Sequence, residues 1–111
     1  MDQTLSKLRI ESILKHIDSV VDDLKDKSLE EFRKSDLYVR ATCFSVMQIG
    51  EQLTHLEKTF GEQYPSIPWK DAIKLRTLIV HIYDKVDADQ IYKVVKNDLE
   101  PLKTEILKIK N

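Results

Sequence analysis

At 111 residues, with two glycines, three prolines and one cysteine, the chain is sized for one domain with its own core and cannot close an internal disulfide. Eighteen Lys and Arg stand against nineteen Asp and Glu, a net charge of −1. That excludes a broad basic surface for nucleic acid and leaves only local contacts. No apolar run approaches membrane-spanning length and no signal-peptide pattern opens the chain, so a soluble protein of the reducing cytoplasm, with no membrane partner, is expected.

The first helix is expected from about Gln3 to Asp26, with Asp2 as its N-cap. Ile10, Ile13, Leu14, Ile17, Val20, Val21 and Leu24 fall on one stripe. Ser28 with Glu31 three residues on forms a capping box, which predicts a short helix over Leu29 to Lys34. Ser35 or Asp36 then starts a long helix to Phe60, where Gly61 is a stop signal. That helix has two apolar sides. One is Val39, Cys43, Val46, Ile49, Leu53, Leu56 and Phe60, on which Cys43 reads as a buried thiol. The other begins at Leu37, Ala41 and Phe44 and turns polar at Gln48, Glu51 and His55. Two such sides call for two neighbours, in a bundle or across a subunit interface.

Tyr64 to Trp69, with prolines at 65 and 68, is a stiff connection. Pro68 suits the first position of a third long helix running to about Tyr83, and Asp71 complements its dipole. Trp69 reads as a core residue and Gly50 as a point of close helix approach. Asp87 with Gln90 marks a fourth start, and Ile91, Val94, Val95, Leu99, Leu102, Ile106 and Ile109 carry one helix that Pro101 should kink. The fold expected is all-α, an antiparallel four-helix bundle with a short extra helix, formed by a single domain over 1–111.

The chemistry concentrates in Arg76-Thr77-Leu78-Ile79-Val80-His81-Ile82-Tyr83. Arginine grips phosphate through a fixed fork of donors, and histidine takes and gives protons near neutral pH. Together they meet the needs of RNA phosphodiester cleavage without a metal. Five residues on an ideal helix turn through about 140°, so Arg76 and His81 do not share a face, whereas Arg76 and Tyr83 nearly do. Two motif-bearing chains would supply the pair of imidazoles that one chain lacks. Asp84 could orient His81 or cap the helix end, and Gln48 and Glu51 could support the motif helix. His16 and His55 have no second ligand at metal-binding spacing and read as surface or partner-contact residues. No metal site or cofactor is expected.

In order along the chain stand Ile49-Gly50-Glu51, Pro65-x-x-Pro68-Trp69, Arg76-x-x-x-x-His81-x-Tyr83, Asp84-x-x-Asp87 and Val95-Lys96-Asn97-Asp98-Leu99-x-Pro101-Leu102. This series resembles the HepT-like branch of the HEPN superfamily over essentially the whole chain. The resemblance implies a homodimer with its motif helices facing across a cleft. It also implies a metal-independent ribonuclease that serves as the toxin of a toxin–antitoxin pair. Its partner would be a minimal nucleotidyltransferase antitoxin, able to transfer AMP to Tyr83. Arg76 and His81 would be catalytic. Thr77 departs from the Asn that is common in the family, where it would orient the arginine or a phosphate, and Ile82 lies between His and Tyr. The alternative, from another class, is a non-catalytic helical dimer that binds a nucleotidyltransferase or a nucleotide.

Overall fold

The computed structural model describes residues 3–80 and 87–110, with the backbone alone at 3, 76–80 and 110. Among these residues every regular element is a helix: α1 (Gln3–Leu24), α2 (Leu29–Lys34), α3 (Asp36–Phe60), α4 (Trp69–Val80), α5 (Ala88–Asn97) and α6 (Leu99–Lys110). The expected all-α class is what the chain forms. No described helix is long and apolar enough to cross a membrane.

Local chemistry accounts for most of the helix ends. The Ser28 hydroxyl accepts from the Glu31 N–H at 3.1 Å, while the Glu31 carboxylate accepts from the Ser28 N–H at 3.0 Å. This reciprocal pair starts a helix too short to nucleate unaided. Ser35 accepts from the Tyr38 N–H at the head of α3, and Asp87 accepts from the Gln90 N–H at the head of α5. Gly61 closes α3 in a right-handed conformation, φ −55°, so its freedom at positive φ is not used. The proposed Asp2 cap lies outside the described residues.

The single fourth helix of the sequence reading is two helices. The break comes at Asp98, three residues ahead of Pro101. Asp98 still donates its N–H to the Val94 carbonyl at 2.9 Å and accepts from the Leu102 N–H at 3.2 Å. Pro101 therefore sits in the first turn of α6, where a missing N–H costs no bond within that helix. The apolar stripe continues through the joint because Val95, Leu99 and Leu102 are all buried.

The core is formed by the stripes of α1, α3, α5 and α6, with Phe32 of α2 fully buried beside them. Helices α1 and α3 run antiparallel. Arg9 meets Gln52 at 2.7 Å and His16 meets Ser45 at 3.0 Å, so one residue number falls by seven as the other rises by seven. Asp18 pairs with Lys103 at 2.6 Å and ties α6 to α1. At the far end of α1 its last carbonyls accept from α5: Lys96 donates to Leu24, and Tyr92 donates to the Lys27 carbonyl just beyond. Arg33 forks onto Asp89 at 2.5 and 2.6 Å and holds α2 to the start of α5.

Helix α4 packs on α3. At about 1.5 Å per residue α3 is roughly 37 Å long, and the molecule is 42 Å in its longest dimension. There is no room for α4 to run on, so the connection 61–68 turns it back along α3.

Candidate active site

Helix α4 positions the motif, and its start is fixed by the connection before it. Tyr64 bonds back to Phe60, Ile67 to Tyr64, and Trp69 to Ile67, so the backbone turns in three short steps. The Ala72 N–H then donates to the Pro68 carbonyl at 2.9 Å, the first helical bond of α4. Trp69, buried as expected, donates its indole N–H to the Tyr64 carbonyl at 3.0 Å. Trp69, Ala72 and Leu75 are buried while Lys70, Asp71 and Lys74 are exposed, which sets the rotation of the helix about its axis. Arg76 lies within α4. Thr77 is also within α4. His81, Tyr83 and Asp84 lie outside the described residues, and with them the mutual geometry of the motif.

Helix α3 has a second side. Leu37, Ala41, Phe44, Gln48, Glu51 and His55 recur every three or four residues and form one stripe. Its first half is solvent-facing and apolar, with Leu37 67% and Phe44 58% exposed. Its second half is polar. Gln48 is half-buried, and Glu51 accepts from His55 Nε2 at 3.3 Å when that ring is protonated there. Neighbouring α1 exposes Leu5 and Leu8 on the same seam, residues whose exposure a periodicity reading of α1 does not flag.

His16 is not a free surface histidine. It is half-buried, its Nδ1 lies 3.0 Å from the Ser45 hydroxyl, and its ring meets Phe44 edge-on at 5.8 Å. Burial, then nearby Lys15, hold its pKa below the ordinary value. Cys43 is half-buried where a buried thiol was expected, because its place on α3 is at the margin of the core stripe. Burial still pushes its thiol pKa up, away from a reactive thiolate. No group of three or more metal-ligating side chains occurs among the described residues.

A cavity of about 520 Å³ opens on another part of the molecule, between the start of α4 and the α5–α6 joint. Its floor is Ala72, Leu75, Leu99 and Leu102, and its polar lining includes Asp71, Asp98 and Glu105. Three carboxylates with no basic side chain among the lining residues repel phosphate, so this is not where an RNA backbone would lie.

The family model described as "Ribonuclease HepT-like" matches residues 10–109. A Methanocaldococcus jannaschii protein named "Gamma-glutamylcyclotransferase and putative RNase" is 35% identical over 93% of this chain, which spans only 46% of that longer protein. A second protein of that organism, named "Putative RNase", is 30% identical over 85% of this chain and 86% of its own length. A "Probable ribonuclease HepT" from Thermococcus cleftensis is 28% identical over 91% and 92%. No solved structure matches the chain.

Proposed function

Because the chain belongs to the HepT-like ribonuclease family, we propose that it is a metal-independent endoribonuclease, the toxin of a two-gene toxin–antitoxin pair, working as a homodimer. The observation that carries this reading is the family match across 10–109, which takes in Arg76, Thr77, His81, Tyr83 and Asp84 together. In the cleavage step the RNA 2′-oxygen attacks phosphorus as a base removes its proton. The bond to the 5′-oxygen breaks as an acid protonates it, leaving a 2′,3′-cyclic phosphate and a 5′-hydroxyl. His81 of each subunit supplies base and acid, and Arg76 holds the phosphoryl oxygens as their charge grows. Tyr83 is the AMP acceptor through which a minimal nucleotidyltransferase antitoxin silences the enzyme.

The exposed α1/α3 face supports the dimer. Leu37 and Phe44 lie toward one end, Leu5 and Leu8 toward the other, because the two helices run antiparallel. A two-fold axis through the middle brings each patch of one subunit onto the other patch of its mate. Isolated apolar side chains on a surface are ordinary, but two patches related this way suit a self-complementary contact. The reading is tested by RNA cleavage and growth arrest with wild type, Arg76→Ala and His81→Ala. Wild type should cleave and both variants should not; equal activity in all three refutes the nuclease.

A further inference from the structure

We propose that the cavity between the start of α4 and the α5–α6 joint binds an aliphatic polyamine; this goes beyond the ribonuclease reading and does not depend on it. The cavity measures about 520 Å³, within the range of pockets that hold small ligands. Its floor is apolar, formed by the buried residues Ala72, Leu75, Leu99 and Leu102. Around that floor stand three carboxylates on three different elements: Asp71 on α4, Asp98 at the joint and Glu105 on α6. No Lys, Arg or His is among the described lining residues. Glu105 pairs with Lys108 at 3.0 Å and accepts from the Ser66 hydroxyl at 2.8 Å, and these contacts hold its carboxyl below the usual range. Among the described residues no side chain pairs with the carboxylate of Asp71 or of Asp98.

The occupant follows from how charge and apolar surface are divided. A metal ion needs ligands that converge on one point, and no group of three or more His, Cys, Asp or Glu side chains among the described residues does so. Phosphate is repelled. A neutral apolar ligand would cover the floor and leave the charge around it unanswered. A polyamine carries its ammonium groups apart, joined by methylene segments, so its stem lies on the leucines while its ends meet separate carboxylates. The walls are set before any ligand arrives. Asp98 is bonded through its backbone to Val94 and Leu102 at 2.9 and 3.2 Å, and the rings of Pro68 and Pro101, both in the lining, lock the backbone there. Little ordering is left to oppose binding. The segments around Pro68 and from Asn97 to Leu102, which the proposed cleavage leaves without a task, meet here. None of the described lining residues belongs to the exposed α1/α3 face on which the dimer is proposed.

The test is titration of the 15N-labelled full chain with spermidine at constant ionic strength, followed by amide chemical shifts, with Mg²⁺ as the cation that has charge but no stem. Spermidine should give saturable shifts at Asp71, Ala72, Asp98 and Leu99, and Mg²⁺ should not. At equal charge, 1,5-diaminopentane should bind about tenfold more tightly than 1,3-diaminopropane, the effect of two more buried methylenes. Asp71→Asn and Asp98→Asn should each weaken spermidine about threefold, as expected of exposed carboxylates, while Asp23→Asn, the same charge lost on α1, should change nothing. Ser66→Lys, which supplies an ammonium from the chain itself, should abolish the response. If Asp98→Asn fails to fold by circular dichroism, Asp71→Asn and Ser66→Lys carry the test. Equal responses to Mg²⁺ and spermidine, an equal loss in Asp23→Asn, or shifts centred elsewhere would mean general attraction of counterions and overturn the inference. Nα-acetyl-lysine methylamide binding as tightly as spermidine overturns it too, since the cavity would then read one amine, as a partner protein's lysine supplies. RNA cleavage enters none of these readouts, so failure here leaves the ribonuclease reading untouched.

Discussion

Trp69→Phe measures how firmly the start of the motif helix is held. Two losses add. The Tyr64 carbonyl, part-buried beneath the indole, loses the donor it meets at 3.0 Å, which costs about 1–2 kcal/mol. The smaller ring also gives up contact at a site only 7% exposed, worth about 1 kcal/mol more. The unfolding entropy scales at about 2.1 cal/mol/K per residue, so for a chain of 111 residues each kcal/mol moves the midpoint by roughly 4 °C. The variant should therefore melt about 8–12 °C below wild type. Far-UV circular dichroism is the assay, because Trp69 is the sole tryptophan and its fluorescence goes with it. A fall of less than about 3 °C would mean that neither the hydrogen bond nor the packing anchors α4.

If the proposed homodimer uses this face, Phe44→Glu should yield monomers in light scattering at micromolar concentration while leaving the helical content intact, since Phe44 is 58% exposed in the single chain; a dimer that persists would place the interface elsewhere. Tyr92→Phe should cost about 1–2 kcal/mol in urea unfolding, as the Lys27 carbonyl loses its donor. For His16 the folded pKa lies below the unfolded value of about 6.5. The unfolded chain thus binds the proton more readily, and stability is complete above about 6.5 and falls as pH drops from there through the lowered folded value. Wild type should lose more stability than His16→Gln between pH 8 and 5, and equal losses would count against this account.

Helix starts were readable where one side chain serves its own neighbourhood: Ser28 with Glu31, Ser35 with Tyr38 and Asp87 with Gln90 all bond across three residues. The second side of α3 was readable too, because Leu37, Phe44 and His55 obey the helix period whether or not anything covers them. Periodicity could not separate α5 from α6, since a bend at Asp98 leaves the stripe of buried residues in phase. It also placed Cys43 wholly inside, because a stripe several residues wide has margins that spacing does not rank. The Arg9–Gln52 contact spans 43 residues of sequence, so nothing local announced it. For the motif itself, the reach from Arg76 to His81 is an argument from helix angles, and that argument favours a second subunit in the proposed chemistry over a site within one chain.

The capping of α1 by α5 bears on how the chain comes off the ribosome. Lys96 donates to the Leu24 carbonyl across 72 residues, and Tyr92 to the Lys27 carbonyl across 65. Until α5 has been synthesised, the C-terminal end of the first helix has only water for these bonds. Long-range closure of this kind is slow compared with helix formation. An N-terminal fragment ending before α5 should accordingly be held as fluctuating helices, and the two-helix seam that carries Arg9 acquires its final form only once nearly the whole chain is present.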